Sequence, residues 1–540
     1  MRIMREPEAA DVVVVGGGPN GLICGNYLAR CGLEVAVVEA GPKLGGGLST
    51  EEVTLPLFRH NLHAFFMRWT PNYKLWTDLE LDATGLRMIM PAKQNALPTS
   101  DGRVLIAYRD TARTLDSFSA FDAEDAKRFV ETLEEATRLS AAVMEPLRFS
   151  PPVPRDERDD ILKRSADGRR FLALSESSAL DLTKELFENE GIRALVLFMC
   201  ALRGYLPVLD APGTGYLVLQ AVAGAVNCLI SEGGSYEVTR ALAGQLYAHG
   251  GRAMTTSRVV GIDVEDGRAT GVVLDDGRRI VARRAVVSNV PAPLALLDLV
   301  GRAHLDRSLV DALEDYSWNG EALFGAHLAL RAPPSFGDAD DGAEAVNLCL
   351  GYESSADVER DMQEVRAGRL PSAVALHASA PTRSDATQAP PGMHTAFGWA
   401  FVPLHPEGRD SSYWTEDVSR QRLDAMVDTW IRYAPNVAEA ELARAAHSPL
   451  DTFRAVPSMW QGDRHHGLYH PDNVDEHRPT DELSEYRTPI DRLYLCGASS
   501  HPGGSVNGLP GYNAAGIVAG DLGLDLWWAP VHARVALQDL

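Results

Sequence analysis

An α/β fold is predicted for this 540-residue chain by three observations. A β-branched run at 11–15 ends in glycines and leads through a helical pattern to a second strand at 34–39. A helix-rich stretch then interrupts the chain at about 115–232, and strand-like runs punctuated by turn residues fill most of the remaining sequence. The length exceeds what one hydrophobic core sustains, so two or three structural units are expected.

The opening βαβ pattern is justified first. Residues 11–15 are followed by alanine- and leucine-bearing sequence to about Arg30. Residues 122–147 place Phe129, Leu133, Ala136 and Val143 at helical spacing behind Asp122, a residue type that caps helix N-termini. After a proline- and charge-rich segment at 150–170, helical pattern returns to about Ile230. A Gly-rich turn at 232–236 precedes a helix near 237–249. The pairs Asp266-Gly267 and Asp276-Gly277 then mark hairpins among strands 259–264, 270–274 and 279–282, with a separate strand at 285–288. Four strand-like runs between about 320 and 404 suggest a second sheet, followed by a helix at 416–433 and a last strand at 492–496.

Composition narrows the function classes. Apolar residues make up 45% and charged residues 23%, as in ordinary globular proteins. The net charge of −23 repels phosphate backbones, which excludes nucleic acid as a main partner. Cys24, Cys31, Cys200, Cys228, Cys349 and Cys496 form no CxxC pair and no metal-ligand spacing, so reduced structural thiols and no metal site are expected. The four valines at 12–15 are too short for a signal-peptide core, and a cytoplasmic location is the expectation. The most apolar stretches, 194–202 and 216–230, are shorter than the ~20 residues that span a bilayer and are separated by Arg203 and Asp210. No membrane span is expected, and peripheral membrane contact stays open.

Gly16-Gly17-Gly18-Pro19-Asn20-Gly21 fits G-x-G-x-x-G directly between a strand and a helix. In that setting Gly16 permits the tight turn, Gly18 lets backbone approach a pyrophosphate, Gly21 allows close helix–strand packing, and the helix N-terminus, with Pro19 at its first position, presents free N–H groups from Asn20 onward. Glu39, with Ala40 beside it, follows Gly21 by 18 positions, where a carboxylate accepts hydrogen bonds from ribose hydroxyls. Gly45-Gly46-Gly47 and Leu48 extend the pattern to E-x5-G-G, an addition similar to that of FAD-binding proteins of the glutathione-reductase type and unneeded by a plain NAD dehydrogenase. Residues 493–516 form a second glycine-rich segment, in which Gly497, Val506, Gly508, Pro510 and Asn513 are candidate cofactor contacts and a helix beginning near Gly511 aims its positive end at a flat ligand. Val259 completes the candidate set.

These motifs, with the Gly233-Gly234-Ser235 turn, the strand at 285–290 and the Tyr-Arg-Thr-Pro segment at 486–489, resemble the phytoene-desaturase-like FAD-dependent oxidoreductases within the amine-oxidase-like flavoproteins. The resemblance is strong over about 1–50, 232–292 and 455–520. It implies a Rossmann-type FAD-binding domain of the glutathione-reductase type, a mixed-sheet substrate domain and a helical lid. The expected division is FAD domain in 1–80, 233–300 and 455–540, substrate domain in 81–114 and 301–454, and lid in 115–232. It also implies non-covalent FAD, hydride transfer from a small-molecule or lipid-like substrate to flavin N5, and reoxidation by oxygen or a quinone. Many relatives carry Arg after the Gly-Gly pair where this chain has Gly47.

For the substrate side, His63, with His60 as second choice, is the candidate proton acceptor near the flavin, because imidazole titrates near working pH. Arg203, Tyr205, His327, Trp399 and Trp460 are conceivable cavity residues, and His466 and His501 read as structural. The leading function is a dehydrogenase or desaturase forming C=C or C=N. The alternatives are an oxygen-using amine or alcohol oxidase and a flavin-free prenyl-binding chaperone of the GDP-dissociation-inhibitor type.

Overall fold

The computed structural model describes residues 8–68, 72–337, 342–538 and 540. The basic opening of the chain, residues 1–7, lies outside them.

The four valines 12–15 are buried on both faces, which is the signature of a central strand in a covered parallel sheet. Strand Glu8–Val15 runs parallel to Val35–Val38 on one side and to Arg279–Ser288 on the other. Arg252–Met254 extends the sheet beyond 35–38, and Leu493–Leu495 lies parallel to residues 286–288. Val12 and Val14 pack toward helices Pro19–Arg30, Tyr236–Ala248 and Leu509–Asp521. Val13 and Val15 pack toward Val272 and Leu296 on the opposite face.

Residues 279–288 correct an expectation. The sequence pattern separates 279–282 from 285–288, but the two form one strand, Arg279–Ser288. The whole strand runs parallel to Glu8–Val15, with a register shift between Ala10 and Val12; on its other side the first half pairs antiparallel with Arg268–Leu274, itself paired with Val259–Glu265, and the second half pairs parallel with Leu493–Leu495. Arg283 interrupts the apolar pattern without breaking the strand, because its guanidinium turns outward to Asp11 and Glu34.

The second sheet has the order 441–447, 321–330, 394–403, 376–379, 347–350, 93–98, 104–108, antiparallel except where 347–350 meets 93–98. Helix Glu416–Tyr433 covers one face through Met426 and Trp430. The other face presents Leu97, Leu105, Cys349 and Phe401 to the helical stretch that begins at Thr111–Ser119 and ends at Tyr216–Ala223.

Asp122 caps its helix, accepting from the N–H groups of Glu124 and Asp125. That helix is regular only over Ala123–Leu139, then loosens into a π-turn at Ser140–Met144 before Glu145–Arg148. Pro146 has no N–H to donate to the preceding turn, which is why the expected single helix over 122–147 is interrupted. Helical structure extends over Glu190–Val208, through Arg203, with a kink at Gly204, whose φ is +91°. By length and composition this segment could cross a membrane, but 78% of it is buried inside the fold, as in a core helix.

Candidate cofactor and substrate site

A cavity of about 1370 Å³ opens where the first sheet, the second sheet and the helical stretch meet. Its outer end is built from the glycine motifs. Gly16 has φ +99°, the turn that aims the chain from strand to helix. A Cβ on Gly21 would lie 2.2 Å from the carbonyl oxygen of Gly16, so only glycine allows this closeness. Gly46 stands directly over Gly18, its hypothetical Cβ 3.3 Å from the Gly18 Cα, and the Gly45 N–H donates to the Gly17 carbonyl at 2.8 Å. The two glycine motifs are therefore one structure. The first helix carries no side-chain cap, and Pro19 occupies its first turn, leaving backbone donors for an anion. Glu39 accepts from the N–H of Gly17 at 2.8 Å and of Gly41 at 2.7 Å, which fixes its carboxylate at the cavity wall.

The chain's other end reaches the same cavity through residues 504–507. Ser505 and Val506 hold φ of +73° and +52°, and for a β-branched residue the latter is a strained conformation that its surroundings must enforce. The enforcement is visible. Asn507 donates to the carbonyls of Gly503 and Gly504 and accepts from the Leu509 N–H at 2.9 Å, while the Tyr73 hydroxyl donates to the Asn507 carbonyl at 2.8 Å. Gly508, at φ +75°, precedes helix Leu509–Asp521, which starts two residues before the expected Gly511.

Of the candidate cofactor residues, Gly16, Gly18, Pro19, Asn20, Glu39, Ala40, Gly46, Gly47, Leu48, Val259 and Val506 line the cavity. Gly21, Gly497, Gly508, Pro510 and Asn513 do not, and they act behind the wall. Gly497 crowds the backbone of Asn289, and Asn513 spends its amide donors on the carbonyls of Arg148 and Ser150. Asn289, in the 285–290 segment but not singled out there as a cofactor contact, lines the cavity and donates to the Gly16 carbonyl at 3.2 Å.

Of the two candidate histidines, His63 faces the cavity and His60 does not. His60 lies in a short strand paired with Thr50–Glu51, buried, its Nε2 2.8 Å from the Thr54 hydroxyl, so its catalytic assignment is withdrawn. His63 Nε2 lies 3.1 Å from Nε2 of His447, on strand Glu441–His447, and its Nδ1 has no partner. Burial pushes the pKa of both rings down, and the neighbouring ring adds to the effect at His63. Two neutral rings at this distance hold one hydrogen between their Nε2 atoms, donated by one ring and accepted by the other.

Beyond His63 the wall becomes apolar, with Phe65, Leu202, Leu323, Trp399 and Phe401. A polar thread crosses it: His377 to Asn347 at 2.8 Å, and Asn347 to Asn95 at 3.1 Å. Arg464 meets Glu321 at 2.6 Å, and burial raises the Glu321 carboxyl to about 7 despite that cation. Of the conceivable cavity residues, Arg203 and Trp399 line it, as does His466, whereas Tyr205, His327 and Trp460 do not. His447, Asn95, Asn347, His377 and Arg464 lie in no sequence motif. Among the described residues no group of three His, Cys, Asp or Glu side chains could hold a metal ion.

Residues 14–79 match an NAD(P)-binding Rossmann-like domain. The chain is 31% identical to a limonene dehydrogenase subunit of Castellaniella defragrans, covering 99% of both proteins. It is 23% identical to the lycopene-forming phytoene desaturase of Paracoccus sp. over 94% of this chain and 96% of that one. The chain belongs to the phytoene-desaturase-like FAD-dependent oxidoreductases. A further relative is the mouse pyridine nucleotide-disulfide oxidoreductase domain-containing protein 2, at 27% identity over 95% of this chain and 94% of that protein. The fold of this oxidoreductase is also that of a redesigned putrescine oxidase, with a TM-score of 0.61 at 16% identity, over 95% of this chain and 98% of the other.

Proposed function

We propose that the protein binds one FAD non-covalently and is a dehydrogenase or desaturase that forms C=C or C=N in an organic substrate. In this reading residues 1–80, 233–300 and 455–540 make the cofactor domain, 81–114 and 301–454 the substrate domain, and 115–232 the lid. The observation that carries it is the single cavity lined by Gly18 and Gly46 at one end of the chain and by Val506 and Asn507 at the other, continuing into an apolar chamber.

The residues present fit the cofactor. Uncapped backbone donors at the first helix suit a pyrophosphate, and Glu39 keeps lone pairs free for ribose hydroxyls. No side chain projects from Gly47 to supply the arginine found in many relatives. When bound, the flavin accepts two electrons and one hydrogen as hydride at N5. His63 then takes the remaining proton on its unpartnered Nδ1 while its Nε2–H points to His447. The wall of Phe65, Trp399 and Phe401 excludes water and aligns the C–H bond to be broken.

The test is anaerobic. Purified protein should be yellow, and mixing with a panel of polyenes, alcohols and amines should bleach the flavin band with one class. Air or a quinone added afterwards identifies the acceptor by the rate at which colour returns. Protein that stays colourless after incubation with FAD overturns the proposal.

A further inference from the structure

The chain carries a net charge of −23, yet the inner cavity is cationic. Arg68, Arg148, Arg203 and Arg464 line it. Arg464 is paired with Glu321 but leaves Nη1 without a partner among the described residues, and Arg203 donates to the Gln220 carbonyl at 3.1 Å. Arg68 and Arg148 form no ion pair with a carboxylate among the described residues. The Arg68 guanidinium lies against Gly224, where a Cβ would come within 2.0 Å of its Cζ, and its buried Nε has no partner. Desolvation pulls its pKa down, the Cys228 thiol beside it pulls it back up, and the charge of Arg148 lowers it again, so the guanidinium is withdrawn from water with a thiol and no carboxylate beside it. Glu145, the carboxyl that shares this wall, is open to solvent and makes no ion pair with Arg148; partial desolvation raises its pKa against the lowering charge of that arginine. The other lining carboxylates, Glu39, Glu51 and Asp298, belong to the cofactor end.

A desolvated guanidinium with no carboxylate beside it is costly, and a ligand anion that reaches it recovers that cost. The planar fork of arginine suits carboxylate and phosphate oxygens in pairs. We propose that Arg68 and Arg148 receive an anionic head group, carboxylate or phosphate, at the end of a substrate whose apolar body lies along Phe65, Leu202, Trp399 and Phe401. This names the substrate class of the flavin site and rests on the function proposed above.

The test uses the FAD-loaded protein and three ten-carbon probes: decanoate, decyl phosphate and the neutral decanamide. Binding is read from the shift each causes in the flavin visible spectrum. In the wild type one or both anions should bind about tenfold or more tightly than the amide. The stronger anion identifies the head group. Arg68→Gln and Arg148→Gln should keep the flavin spectrum and lose most of that selectivity. Should Arg68→Gln not fold, Arg68→Lys keeps the charge without the fork and should lose part of it. Equal affinity of anions and amide for the wild type, including no binding by any probe, overturns the inference. So does full selectivity retained in both arginine variants. A protein without flavin fails the earlier proposal instead, so the two failures are distinguishable.

Discussion

His63 and His447 approach through matching nitrogens, so the hydrogen between them can sit on only one ring at a time. With His63 as donor, its buried Nδ1 keeps a lone pair with no partner among the described residues, and a proton gained there can leave through Nε2 to His447. Replacing His63 with Asn should slow flavin reduction by about 10²-fold or more while leaving the flavin spectrum intact. His447→Asn should show a smaller loss, because it removes the relay and not the acceptor. Stopped-flow reduction of each variant checks this, and an unchanged rate in His63→Asn removes the assignment. His63 was legible because it follows the E-x5-G-G motif closely. His447 was not, since 384 positions separate it from its partner and its half-exposed edge strand shows no clear apolar alternation.

At the scale of elements, the legible parts were those with local rules. The strand–turn–helix at 8–30, the hairpin strands at Asp-Gly turns and the helix at 416–433 follow from turn chemistry and periodicity that operate over a few residues. What escaped was pairing over distance, such as the union of 279–282 with 285–288 across two strand partners. The close packing of the first helix on Leu509–Asp521 belongs to that second kind. A Cβ on Gly511 would lie 2.2 Å from the carbonyl oxygen of Asn20, backbone against backbone, with no flexible atom to yield. Gly511→Ala should therefore destabilise the protein by about 1–3 kcal/mol or more and lower its flavin content, because Asn20 and Asn507 would move apart. Urea denaturation and the ratio of flavin to protein absorbance measure both effects, whereas Gly516→Ala in the same helix, where a Cβ meets nothing within 4 Å, should be close to neutral.

Taken as a whole, the molecule buries many neutral imidazoles. Burial pushes His60, His377 and His466 down to about 3, and lowers His63, His327 and His465 as well. In the unfolded chain each binds a proton near pH 6.5, so below that pH the unfolded state holds more protons and stability falls as pH drops toward 3. Glu321, Asp361 and Asp463 are raised by burial and act in the opposite sense, but they are fewer. The urea midpoint should drop between pH 7.5 and 5.5, and a flat profile would mean these rings are not buried neutral.

The same long-range organisation makes a prediction about ligand binding that no single element carries. Segments 16–20, 44–48 and 504–507 meet at one cavity although nearly 500 positions separate the first from the last. If FAD bridges them, each loses local opening at the same ligand concentration, because opening any one costs the shared binding free energy. Hydrogen exchange of flavin-depleted protein titrated with FAD should slow in peptides from all three segments along one saturation curve. Peptides from the exposed hairpin at 265–268 should be unaffected. Protection confined to 16–20 and 44–48 would mean that the C-terminal loop closes on something other than the cofactor.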